Sequence, residues 1–230
     1  MENELAPRDR IIDTFKRISC MKQDVFQKTT ESFGQLHKVL KVMAEDFDEA
    51  MEIDSRVTFE YSSFSKYEAR LKFAGDTLIF HMHTNVFKMD DSHPIWETSY
   101  VKKDTNRGYC GIINIYNFLS DSFKFNRVND RGYLVARIFV NMDGHFVVEG
   151  KRQLGMLYND FINSVLDPAS LKGVIETTIL YSLDFDLTTP PYENMKLVSL
   201  HQMMELSDNL KIATGKRLGF QFQADSSTVF

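Results

Sequence analysis

GYLVARIFVNMDGHFVVEGK, residues Gly132 to Lys151, consists of two apolar, β-branched runs interrupted by Asn141-Met142-Asp143-Gly144. This is the pattern of a β-hairpin. Loop length decides which side chains share a face. A two-residue Asp-Gly loop pairs Met142 with His145 and mixes Glu149 and Lys151 among Ala136, Ile138 and Val140. A three-residue loop, Met142 to Gly144, pairs Asn141 with His145 and gives glycine the left-handed position of a turn with a bulge, where it costs least.

In the second register one face is wholly apolar: Leu134, Ala136, Ile138, Val140, Phe146 and Val148. The other carries Val135, Arg137, Phe139, Asn141, His145, Val147, Glu149 and Lys151, with Arg137 opposite Glu149 as a cross-strand ion pair. A one-residue slip exchanges the two faces, so burial selects the register that sorts cleanly. The sequence therefore predicts the three-residue loop. It also makes Arg137, His145, Glu149 and Lys151 a candidate ligand-binding face for a small anionic group or a protein partner, with Glu149 orienting the guanidinium.

N-terminal to the hairpin, Arg8 to about Ile53 reads as helix. Apolar residues recur at Ile11, Phe15, Ile18, Met21 and Val25, then at Phe33, Leu36, Leu40, Met43, Phe47 and Ala50. A straight helix of about 45 residues would reach roughly 68 Å, which predicts either a break near Ser32 to Gly34 or a projecting helix that pairs with a second copy as a homodimer. The acidic run Glu45 to Asp54 fits a solvated helix face.

Strands are predicted at Val57–Tyr61, Tyr67–Phe73, Thr77–His83, Ile95–Val101 and Gly111–Tyr116, joined by local turns, while Asn117–Phe125 is either a strand end or a short helix. Helical patterning returns at Leu154–Leu166, at Asp167-Pro168 through Leu183, and at Asn194–Ile212 after Pro190-Pro191. Leu218–Gln223 reads as an edge strand and Ala224–Phe230 as a frayed tail. The predicted class is α+β, an antiparallel meander over 57–151 flanked by helical segments over 8–53 and 154–212, in one domain spanning 1–230.

Composition bounds the function. With 43% hydrophobic and 26% charged residues the chain has the make-up of a globular protein. No window has the roughly 18 apolar residues of a membrane span, and no leader is legible at the start. Two distant cysteines, Cys20 and Cys110, read as free thiols in a reducing compartment, which points to the cytoplasm. A net charge of −5 argues against nucleic-acid binding by the whole surface, and 19 phenylalanines favour a large core.

Three local patterns suggest chemistry. His81-Met82-His83 places two imidazoles on one side of a strand, and His93 or His145, with Asp90, Asp91 or Glu97, could complete a divalent-metal site. Gly75 followed by five residues and His-x-His resembles the start of the cupin metal motif over about nine residues. The glutamate expected after it and the second cupin motif are both missing.

Asp143 with Glu149-Gly150-Lys151, or Asp130 in place of Asp143, resembles the PD-(D/E)xK nuclease pattern, which implies carboxylate-held magnesium and a lysine beside the attacking water. Phe123-Lys124-Phe125-Asn126-Arg127 interleaves rings and cations as single-strand binders do, though the two-residue spacing predicts that both rings cover core. Thr214-Gly215-Lys216-Arg217 lacks a phosphate loop's upstream glycine and fits a helix end. There is no Gly-x-Ser-x-Gly, Cys-x-x-Cys or dinucleotide fingerprint. The expectation is a noncatalytic ligand- or protein-binding domain with a polar groove on its sheet; the rival is a metal-dependent enzyme.

Overall fold

The computed structural model describes residues 6–50, 57–184, 189, 191–201 and 203. Helix α1 (Pro7–Thr14) runs through a π-helical turn (Phe15–Ser19) into α2 (Cys20–Ala50). The sheet is built from β1 (Phe59–Ser65), β2 (Glu68–Phe73), β3 (Asp76–Met82), the short β4 (Phe87–Lys88), β5 (Tyr109–Leu119), β6 (Tyr133–Asn141) and β7 (Phe146–Gly150). Its strands lie in the order β1-β2-β3-β5-β6-β7, all antiparallel, with β4 pairing the start of β5. Short helices α3 (Ser99–Lys103), α4 (Ser120–Lys124), α5 (Gln153–Leu157) and α7 (Tyr192–Met195) fill connections, and α6 (Pro168–Leu183) returns to pack beside α2.

The α+β class is as the patterning predicts: a long N-terminal helix, an antiparallel meander and C-terminal helices. This open meander is not the double-sheet jelly roll that a cupin resemblance implies. Among the described residues no helix is long and apolar enough to cross a membrane.

One face of the sheet meets the two long helices. Leu71, Leu78, Phe80, Ile113, Ile138, Val140, Phe146 and Val148 point to it and join Phe33, Leu36 and Leu40 of α2 and Leu171, Val174 and Ile175 of α6 in the main core. Helix α2 does not break at Ser32–Gly34. Phe33 and Leu36 are fully buried on either side of Gly34, and burying each is worth about 1.5–3 kcal/mol against about 1 kcal/mol for a helical glycine. The irregular turn comes instead at Phe15–Ser19, where no residue is buried to hold α-helical register. Ile11 and Phe15 lie outside the core, more than half exposed.

The hairpin register is the predicted one: Val140 pairs with Phe146, Arg137 with Glu149, and the Asn141 N–H donates to the His145 carbonyl at 3.0 Å. Gly144 takes a φ of 82°. The Asn141 side-chain oxygen accepts from the Asp143 and His145 amides, closing the loop.

One residue pair departs from the predicted faces. A β-bulge where β6 crosses Ile115/Tyr116 of β5 adds one residue to β6 and reverses the alternation there. Val135 is therefore buried in the main core and Leu134 is exposed.

Two predicted elements are replaced. Ile95–Val101 is not a strand: His93 caps a 3-10 turn at Pro94–Glu97, and Thr98 caps α3. Local caps satisfy the backbone there without a strand partner. Leu154–Leu166 is helical only at α5. The chain then runs back along the hairpin, with Phe146 and Val148 donating to the Ser164 and Tyr158 carbonyls. Asp167 caps α6 as predicted, accepting from the Ser170 amide at 2.7 Å. Residues 51–53, most of Asn194–Ile212, Thr214–Arg217, Leu218–Gln223 and the 224–230 tail lie outside the described residues.

Candidate functional site

Strand register draws a line of polar side chains across the sheet face turned away from the long helices. Glu68 pairs with His81, His81 with Asn114, Asn114 with Arg137, and Arg137 with Glu149, so five neighbouring strands each contribute one polar residue. Arg137 Nε donates to Glu149 Oε2 at 2.7 Å, and Nη2 of the same guanidinium also approaches that oxygen. The Asn114 side-chain amide has no hydrogen-bond partner among the described residues.

The adjacent line is apolar: Ile112, Phe139 and Val147, each under 9% exposed. It is covered by the excursion between β3 and β5, through Met89, Ile95, Val101 and the partly buried Phe87, Trp96 and Tyr100, together with Phe161. Gly108 allows this cover to close, since a methyl there would come within 2.2 Å of the Trp96 ring.

Where the apolar cover ends and the polar line begins, a cavity of about 650 Å³ opens. Arg137, Glu149 and Asn114 form its polar wall, Ile112, Phe139, Val147, Phe87 and Met89 its apolar part, and His83, Lys88, Asp90, His93, Gly155 and Asn159 its rim. Its volume falls within the roughly 300–1,000 Å³ of small-molecule sites. Lys88 and Arg137 balance Asp90 and Glu149, so with neutral histidines the lining carries no net charge.

Of the candidate site residues singled out from sequence, the cavity gathers Arg137, Glu149, His83, His93 and Asp90. His81 sits in the polar line, exposed, without lining the cavity. His145 is turned elsewhere, stacked on Tyr100 with ring centroids 4.5 Å apart and its Nδ1 donating to the Phe161 carbonyl at 3.0 Å. Lys151 is exposed and off the lining.

Both cavity histidines are oriented by the backbone. His83 Nδ1 accepts from the Asn85 amide at 3.0 Å, and His93 Nδ1 from the Ile95 amide at 3.3 Å. In the neutral ring the proton is then on Nε2, which makes each a hydrogen-bond donor and not a metal ligand through that atom. Among the described residues no three His, Cys, Asp or Glu side chains converge as a metal site would need.

The nuclease-like set is not brought together either. Asp143 accepts from Tyr100 at 2.6 Å and from Arg107 at 3.0 Å, tying the excursion to the hairpin loop. Four residues of chain, about 13 Å at strand rise, separate the end of the loop at His145 from Glu149. Burial and this bond push the Tyr100 phenol up to about 12, so it stays a donor. Asp130 is taken by Arg127 and Ser122.

Cys110 is buried in the second core, and burial pushes its thiol up to about 12, far from a reactive thiolate. Phe123 and Phe125 do not cover core as their spacing predicts: both are 39% exposed, and Phe123 packs on Phe118 and beneath the Arg70 guanidinium.

Asn114 and the rim residues Phe87, Lys88 and Met89 escaped the sequence reading. Asn114 becomes visible only when β5 and β6 are aligned, and the bulge at Val135 hides that alignment from simple alternation. Comparison of the chain with protein-family models, with curated proteins and with solved structures finds no match.

Proposed function

We propose that this chain is a noncatalytic intracellular binding domain that holds a small amphipathic molecule in the cavity of its outer sheet face. The observation that carries this reading is the junction of an apolar wall, Ile112, Phe139 and Val147, with hydrogen-bonding groups on Asn114, Arg137 and Glu149. Ligand sites combine a mostly apolar enclosure with a few convergent polar groups that fix orientation.

Two features favour binding over catalysis. The carboxylates near the cavity are committed to partners, Glu149 to Arg137 and Asp90 to Ser92, and the buried thiol is held protonated. The unpaired cysteines, Cys20 and Cys110, support an intracellular address.

The test is a thermal-shift screen of uncharged and charged aromatic compounds on the wild-type chain and on Arg137→Met. A ligand at 100 times its Kd stabilises by about 2.7 kcal/mol. Hits that raise the wild-type Tm and leave Arg137→Met unmoved support the reading. Hits that raise both equally place binding elsewhere and overturn it.

A further inference from the structure

Resting on that reading, we infer that the cavity selects an uncharged ligand with an apolar body and an amide-like edge over an anion of the same shape, and that Glu149 is the residue that enforces the choice. An arginine in an apolar cleft ordinarily attracts carboxylates and phosphates. Here the guanidinium is already met by a carboxylate at 2.7 Å, and the other lining cation, Lys88, is matched by Asp90 on the rim and paired with Asp91. An anion entering this cavity would leave water for a lining without net positive charge, and it would meet Glu149 as a like charge beside the Arg137 donor.

The same pair suits a neutral group that both accepts and donates. Both contacts from Arg137 fall on Oε2 of Glu149, through Nε and Nη2. Nη1 and Oε1 are left without partners among the described residues, one a donor and the other an acceptor. Asn114, directly across from Arg137, adds a second donor and acceptor. The cavity histidines contribute Nε2–H donors, and Phe139 with Phe87 supplies flat apolar surface for a ring system. An amide, a lactam or the hydrogen-bonding edge of a heterocycle matches this arrangement.

The experiment uses two probes of one shape, 1-naphthaleneacetamide and 1-naphthaleneacetate, titrated into the full-length chain labelled at Ile, Val and Met methyls. Dissociation constants are read from the Ile112, Val147 and Met89 resonances, on wild type and on Glu149→Gln. Glu149 is exposed, with 61% of its side chain accessible, so the variant keeps the fold, and its methyl spectrum verifies that.

The expected result is that the amide binds wild type at least tenfold tighter than the acetate. In Glu149→Gln the acetate gains at least tenfold, because Arg137 loses its counter-charge. Cavity shifts with the acetate binding as tightly as the amide, or no gain in Glu149→Gln, overturn the selectivity and leave the binding site standing. No shift of the three cavity methyls with either probe overturns both the selectivity and the site.

Discussion

Thr29 of α2 lies against Gly111 of β5 so closely that a methyl on residue 111 would come within 2.1 Å of the threonine hydroxyl oxygen. The hydroxyl is itself fixed, donating to the Val25 carbonyl at 2.7 Å. Helix α2 crosses the sheet at this contact. Gly111→Ala is expected to destabilise by about 3 kcal/mol, at the upper end of the range for overpacked cores. Thr29→Ala in the same chain recovers part of that loss, since the hydroxyl and methyl that clash are removed while the Thr29 β-carbon is not. Urea denaturation of the two single variants and the double checks the coupling.

Arg152 takes a backbone conformation suited to glycine, φ 48° and ψ −124°, in the turn where the Leu154 N–H donates to the Lys151 carbonyl. Its guanidinium lies over the Tyr181 ring at 5.5 Å. Arg152→Ala keeps the backbone strain and loses the ring contact, whereas Arg152→Gly loses the contact and relieves the strain. The glycine variant is expected to be more stable than the alanine variant by about 1–2 kcal/mol, measured as the difference between their unfolding free energies.

His37 accepts or donates at Nδ1 with the Tyr61 hydroxyl, 2.7 Å away, and its Nε2 is buried without a partner among the described residues. Burial lowers its pKa from the ordinary 6.5. The unfolded chain therefore binds the proton more readily than the folded one. This contribution to stability is complete above pH 6.5, and it is lost as the pH falls from there through the depressed folded value. His37→Gln is expected to flatten the stability-against-pH curve in that window, followed by chemical denaturation between pH 4.5 and 7.5.

The Arg137–Glu149 pair joins side chains that are 38% and 61% accessible. Exposed pairs of this kind contribute about 0–1 kcal/mol. Arg137→Ala is expected to change folding stability by less than about 1 kcal/mol while weakening binding of 1-naphthaleneacetamide at least tenfold. A pair that is only a surface charge ladder would leave binding unchanged. Parallel denaturation and titration of the one variant separate the two roles.

The hairpin was legible because one strand pairing alone collects Ala136, Ile138, Val140, Phe146 and Val148 on a single face, and burial acts on that whole set together. The Leu134–Val135 exchange was not legible, because a bulge depends on the partner strand and not on the bulged residues. Ile95–Val101 misleads for a related reason: it is rich in residue types that favour strands, yet His93 and Thr98 cap short helical turns over it. The apolar residues of that segment are buried by folding over the outer face and not by joining the sheet. Arg137 and Glu149 were legible as a pair. Their neighbours Asn114 and His93 come from segments separated in sequence and meet them only through the β5–β6 register and the excursion.

Crystallographic fragment screening of the full-length chain tests the central claim most directly. The account predicts that bound fragments cluster between Phe139 and Phe87, with a polar atom within hydrogen-bond distance of Arg137, Glu149 or Asn114. Fragments that bind at other surfaces while none enters this cavity would contradict it.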